Sequence, residues 1–93
     1  MQRKILLMSI CDNVGIMLDD AEKGDVAIAG ERSVQLVGAV KFAHKVALRI
    51  IAKGEPVVKY GEVIGNAVSD ISEGEWVHVH NLDDAESRQE RLQ

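Results

Sequence analysis

Near its end the chain reads "EGEWVHVHNLDD", which sets His78 and His80 one residue apart, and a third histidine, His44, stands in "KFAHKVAL". Imidazole titrates near neutrality, so each of the three could give or take a proton, and each could ligate a metal. Read as a strand, "WVHVHN" puts His78 and His80 on one face, about 7 Å apart at Cα, with Val79 on the other. Two rings so placed could converge on one metal ion or one anionic group. A solvated strand end bearing two polar residues would show the same pattern, and a lone histidine such as His44 is more often structural than functional. A second polar feature, Lys59-Tyr60-Gly61 in "VVKYGEVIG", holds the only tyrosine beside a lysine suited to a carboxylate. Asp12 and Asn13 read as turn residues, and Cys11 as a small buried apolar residue rather than a nucleophile. The sequence has no phosphate loop, CxxC pair or serine-hydrolase elbow.

Composition bounds what can carry these residues. The 93 residues suffice for one domain with one modest core. Hydrophobic residues are 46% of the chain but aromatics only 3%, so the core must be built from Val, Ile, Leu and Ala. A net charge of −4 argues against nucleic acid, which demands clustered cations. A single cysteine forms no internal disulfide, which points to a reducing cytoplasm. The apolar stretch in "MQRKILLMSICDN" is too short for a signal peptide, and no run approaches the roughly 20 apolar residues of a membrane span.

The elements that would position the histidines are short strands. "KILLMSI", "VGIML", "VAIA", "SVQLVGAV", "KVALRII", "PVVKY", "EVIGNAV" and "WVHVHN" are β-branched runs closed by glycine or charged turns. Their spacing predicts an all-β domain rather than βαβ units. At "VKFAHKVALRII" a helix competes, but Val46, Leu48 and Ile50 alternate, which favours a strand. One device recurs in "DDAEKGDVAI", "RIIAKGEPVV" and "SDISEGEWVH": a Lys or Glu, then glycine, then an acid, then an apolar strand start. Gly24, Gly54 and Gly74 fit a turn position of positive φ, and Pro56 suits a strand's first residue or an edge. Residues 83–93 form a polar tail, either disordered or a short helix capped by Asn81 or Asp83, after a domain spanning residues 1–82.

Taken together, His44 to Leu48 (His-Lys-x-Ala-Leu), "KGEPV", "KYGEVIG" and the closing "GEWVHVHN" resemble the N-terminal SAF domain of the altronate/galactarate dehydratase family. That family includes the detached small subunits of altronate-type dehydratases and of sulfolactate sulfo-lyase. "DNVGIML" is similar to the family's opening segment, so the likeness covers most of residues 9–82. Ala43 departs from it, since many relatives carry glycine before the histidine. The resemblance implies a β-clip fold of short bent strands and a part in metal-dependent lyase chemistry on a sugar acid or related hydroxy-acid. It implies a large catalytic dehydratase subunit as partner, without which this chain is inactive, and a divalent metal, iron or manganese. A homo-oligomer is compatible with it. Under it, His44, His78 and His80 are the candidate catalytic residues, His78 and His80 the candidate metal ligands, and Lys59, Tyr60 and Asn81 the candidate substrate contacts. The competing reading is a non-catalytic SAF module that binds carbohydrate or a protein partner.

Overall fold

A computed structural model of the chain describes residues 1–7 and 9–83. Among them are nine strands and no helix: β1 (Gln2–Leu6), β2 (Val14–Met17), β3 (Val26–Ala29), β4 (Arg32–Gln35), β5 (Lys45–Ala47), β6 (Pro56–Lys59), β7 (Glu62–Ala67), β8 (Trp76–Val77) and β9 (Leu82–Asp83). The all-β expectation holds. The helix that competed at residues 40–51 is absent, and β5 takes its place. No helix among the described residues is long and apolar enough to cross a membrane.

Six strands form one sheet in the order β4-β3-β1-β2-β5-β8, and three form a second in the order β6-β7-β9. Only β1 and β3 pair in parallel; every other pairing is antiparallel. Adjacent residues of a strand face opposite sides, and β5 uses this to serve two cores. Val46 packs with Ile5, Met17, Leu36 and Val40, whereas Ala47 packs with Val14, Ile51, Val57 and Ile71. Both residues have no exposed surface. Burying each larger aliphatic side chain contributes roughly 1.5–3 kcal/mol, so β5 is held from both faces. Pro56 opens β6, an edge strand, where its missing N–H costs no ladder bond.

The recurring glycine device proves to be a structural unit, and four turns among the described residues share its backbone. In three copies the acid after the glycine accepts the N–H three residues back: Glu22 to Asp25 at 3.0 Å, Ala52 to Glu55 at 2.9 Å and Ser72 to Glu75 at 2.9 Å. The glycines have φ of 91°, 87° and 82° at Gly24, Gly54 and Gly74. The fourth copy, Val40 to His44, has the same backbone, with the His44 N–H donating to Lys41 O at 3.1 Å. Here Ala43 stands at the glycine position with φ 70°, and His44 stands where the others carry the acid. The turns pair off through the bridges Ala21–Val40 and Ile51–Ile71. In each pair an aspartate before one bridge caps the other turn: Asp20 accepts from Phe42 N at 2.9 Å and Asp70 from Lys53 N at 2.8 Å.

Two sequence expectations need correction, on the extent of the last strand and on Cys11. The strand through "WVHVHN" stops at Val77, and residues 78–81 form a turn. Asn81 closes that turn and Asp83 lies in β9, while the tail expected to be disordered or a short helix lies from residue 84 on outside the described residues. Cys11 is exposed, not buried. Its neighbour Asp12 is drawn inward instead, accepting from Gly61 N at 2.7 Å and Ser9 N at 3.3 Å.

Two of the turns give stability tests. A methyl group at Gly54 meets nothing within 4 Å, so Gly54→Ala incurs only the left-handed backbone strain, about 1–2 kcal/mol. At Gly74 a Cβ would also press into the Gln35 carbonyl oxygen, so Gly74→Ala is expected to be clearly the more destabilising in urea titrations. Ala43→Gly removes the strain at the fourth turn and is expected to raise stability by about 1 kcal/mol or less. Acid sensitivity follows from the capping carboxylates. The Glu22 N–H, the Met1 ammonium and Arg3 hold Asp25 below its ordinary 3.8, and the Ala52 N–H and Arg49 hold Glu55 below its ordinary 4.5. A lowered folded pKa contributes stability that is complete above the unfolded value and is lost as pH falls through the folded one. Below about pH 4 the double variant Asp25→Asn, Glu55→Gln is therefore expected to lose stability less steeply than the native chain.

Candidate functional site

The register of β5 against β8 decides which side chains meet. Lys45 pairs with Val77 and Val46 with Trp76. One step past the ladder, the same register sets His44 opposite His78, and their ring centroids lie 5.4 Å apart. Trp76, two residues before His78, is the diagonal neighbour of His44, a distance that aromatic side chains span. Its indole Nε1 donates to His44 Nδ1 at 3.0 Å. The indole also stacks on His78, with centroids 5.1 Å apart and planes at 13°, and His80 tilts against it at 5.0 Å and 44°. His44, Trp76 and His78 are half-buried, and His80 is exposed. The three candidate histidines are thus gathered around one indole at the edge strand of the larger sheet.

Asn81 shapes the turn that brings His80 back. Its Oδ1 accepts from His78 N at 2.9 Å, and its Nδ2 donates to Trp76 O at 2.9 Å and Glu75 Oε2 at 3.1 Å. One amide thereby takes the place of a strand partner and ends β8. Asn81 is 1% exposed, so this amide is spent inside the chain. Glu75, the capping acid of the turn just before β8, is in the same network, accepting from Ser72 N as well.

Lys59 and Tyr60 stand elsewhere, on the β6–β7 hairpin of the smaller sheet. Lys59 pairs with Glu62, and Tyr60 and Gly61 between them have φ of 55° and 76°, the two positive angles of a type I′ turn. The Lys59 ammonium lies 5.3 Å from the Tyr60 ring centroid. Asp12 fixes the turn through Gly61 N, and Asn13 fixes β6 by donating to Pro56 O at 2.9 Å and accepting from Val58 N at 2.7 Å. The contacts that gather the histidines include neither Lys59 nor Tyr60. Asp12 and Asn13, read from sequence as simple turn residues, are buried struts for this hairpin.

The metal expectation meets a geometric limit. Among the described residues no three His, Cys, Asp or Glu side chains are grouped so as to hold an ion. The Nδ1 lone pair of His44 is taken by Trp76, and the rings of His78 and His80 both pack on the indole. These residues do not by themselves fit a divalent metal.

The arrangement is that of a small all-β domain that gathers three imidazoles around one indole at a sheet edge. The family model for the altronate/galactarate dehydratase SAF domain matches residues 3–85, and the chain belongs to that family. It is 44% identical over 70 residues to the altronate dehydratase of Bacillus subtilis, covering 75% of this chain but 14% of that protein. Identity to the altronate dehydratase of Escherichia coli is also 44% over 70 residues, again 14% of its length. Against the (2R)-sulfolactate sulfo-lyase subunit alpha of Chromohalobacter salexigens, identity is 35% over 78 residues, covering 76% of this chain and 83% of that one.

Trp76 was missed by the sequence reading. The available signal was its place as the only tryptophan, immediately after a capping acid and two residues before His78. Asn81→Ala removes three hydrogen bonds from a buried site and is expected to cost about 2–4 kcal/mol in chemical denaturation. It is also expected to release the stacked His78 ring, seen as a shift of its resonances toward exposed-histidine values.

Proposed function

We propose that this chain is the small subunit of a lyase that eliminates water or sulfite from a sugar acid or related hydroxy-acid, completing the active site of a separate large subunit. The observation that carries this reading is the alignment across 83% of a sulfo-lyase subunit alpha, a relative of the same type and size that is itself named as a subunit. The altronate dehydratases, of which the chain spans only 14%, supply the same domain joined to a much longer protein.

The site geometry supports the reading chemically. Elimination next to a carboxylate needs removal of a weakly acidic proton, stabilisation of an enediolate-like charge, and assistance to the departing group. His44 and His78, half-buried and 5.4 Å apart, form a pair of donors and acceptors for such a task. His80 extends the same surface. The divalent metal, iron or manganese by family, we assign to the large subunit, because the described residues of this chain group no three ligands. When bound there it would supply Lewis acidity at the substrate carboxylate. Lys59 and Tyr60, on a strained and braced turn, are in this reading a second contact for an anionic substrate or for the partner.

Apolar side chains at the rim support a covering partner. Phe42 is 60% exposed in the same turn as His44, and Val79 is 37% exposed between His78 and His80. Exposed aromatic residues at the margin of a site are favoured anchors for an interface. The exposed Cys11 thiol suits a reducing compartment, and we place the complex in the cytoplasm.

Co-expression with a large dehydratase-type chain tests the proposal. Elimination activity is expected only from the pair, with His78→Ala lowering turnover at least about 100-fold if His78 handles a proton. Phe42→Ala is expected to weaken assembly while leaving the melting temperature of the isolated small chain nearly unchanged. Full turnover by the large chain alone would overturn the proposal and leave a non-catalytic binding module.

A further inference from the structure

We propose that Trp76 is a positioning residue that locks neutral His44 in the Nε2–H form, so that His44 offers a hydrogen-bond donor to an anionic oxygen rather than a lone pair to a metal. An indole Nε1 can only donate. At 3.0 Å it therefore claims the lone pair of His44 Nδ1, and the ring proton of the neutral imidazole must sit on Nε2. This is the reverse of the usual metal-ligand arrangement, in which one ring nitrogen donates to a carboxylate or carbonyl and the other keeps its lone pair for the ion. For His44 to ligate through Nε2, its proton would have to move to Nδ1, and the Trp76 bond would be lost.

The turn itself supplies an independent observation. At the three equivalent positions Asp25, Glu55 and Glu75 turn their carboxylates back onto their own turns. His44 occupies that place in the fourth turn, and its side chain reaches across to β8 instead. The turn accepts a strained Ala43 at φ 70° beside it. Packing holds the pair from the other side, since the indole is stacked on His78 and tilted 50° to the His44 ring. The ring is thus oriented by two contacts, one directional and one steric, with its far nitrogen left for a ligand. The ligand class this donor suits is an oxyanion: a carboxylate or the charged oxygen that develops during elimination.

The assignment of the ligand rests on the lyase reading above; the tautomer does not. Long-range proton–nitrogen correlation spectra of the histidine-labelled full chain, at about pH 8 where an ordinary imidazole is neutral, read the tautomer directly. His44 is expected to show a lone-pair Nδ1 and a protonated Nε2. Trp76→Phe, which keeps an aromatic ring but has no N–H, is expected to return His44 to a mixture of tautomers. A native His44 protonated on Nδ1 would overturn the proposal, as would a spectrum unchanged by Trp76→Phe. In the assembled enzyme, Trp76→Phe is expected to lower turnover roughly 3–10-fold, the loss of one orienting hydrogen bond. His44→Gln, which keeps an N–H at the far position, is expected to retain more activity than His44→Ala; equal loss in the two would overturn the donor role. Failure of any complex to form would count against the lyase reading alone and leave the tautomer result standing.

Discussion

The structure depends on one small interaction, a carboxylate that accepts the N–H three residues before it and so closes a tight turn. Asp25, Glu55 and Glu75 each do this, and each turn launches a strand immediately afterward. Because the strands are only two to six residues long, their own ladders hold little. What aligns them is the set of turns, tied in pairs by the Ala21–Val40 and Ile51–Ile71 bridges and cross-capped by Asp20 and Asp70. Ala21, Val40, Ile51 and Ile71 are all buried, so each bridge is also a core contact. A polar device and an apolar one therefore coincide at the same four places.

The candidate site is what this scheme yields when one copy is altered. With histidine in the capping position and alanine in the glycine position, the fourth turn keeps its backbone path but frees a side chain. β5, clamped between two cores, then fixes where that side chain starts. β8 supplies the other half, since its register brings Trp76 and His78 beside His44. Asn81 completes the arrangement by ending β8 early and folding His80 back toward the indole. Among the described residues no buried side-chain polar atom lacks a partner, which is why Asn81, Asn13 and Asp12 can sit inside so small a core.

Much of the fold was legible because β-branched runs and glycine turns are local signals. "PVVKY" and "EVIGNAV" map onto β6 and β7, and the three glycines have the positive φ that their setting demanded. The alternation of "WVHVHN" misled for a physical reason. Strand propensity favours extending β8 through His80, but the Asn81 amide captures His78 N and Trp76 O and outcompetes the ladder. Likewise Cys11 is exposed because the pull on its neighbour Asp12, from the N–H groups of Gly61 and Ser9, decides which way that loop faces.

The sequence by itself determined the all-β class, the aliphatic core, the turn positions and the family resemblance, all of which rest on residue type and short spacing. It also singled out His44, His78 and His80 as candidate site residues, though it could not say that they meet. That they meet was decided by the β5–β8 register, which joins residues more than thirty apart in the chain around Trp76. The same tertiary contact decided which nitrogen of His44 is occupied. Such choices depend on geometry between distant segments, and no local pattern of residues encodes them.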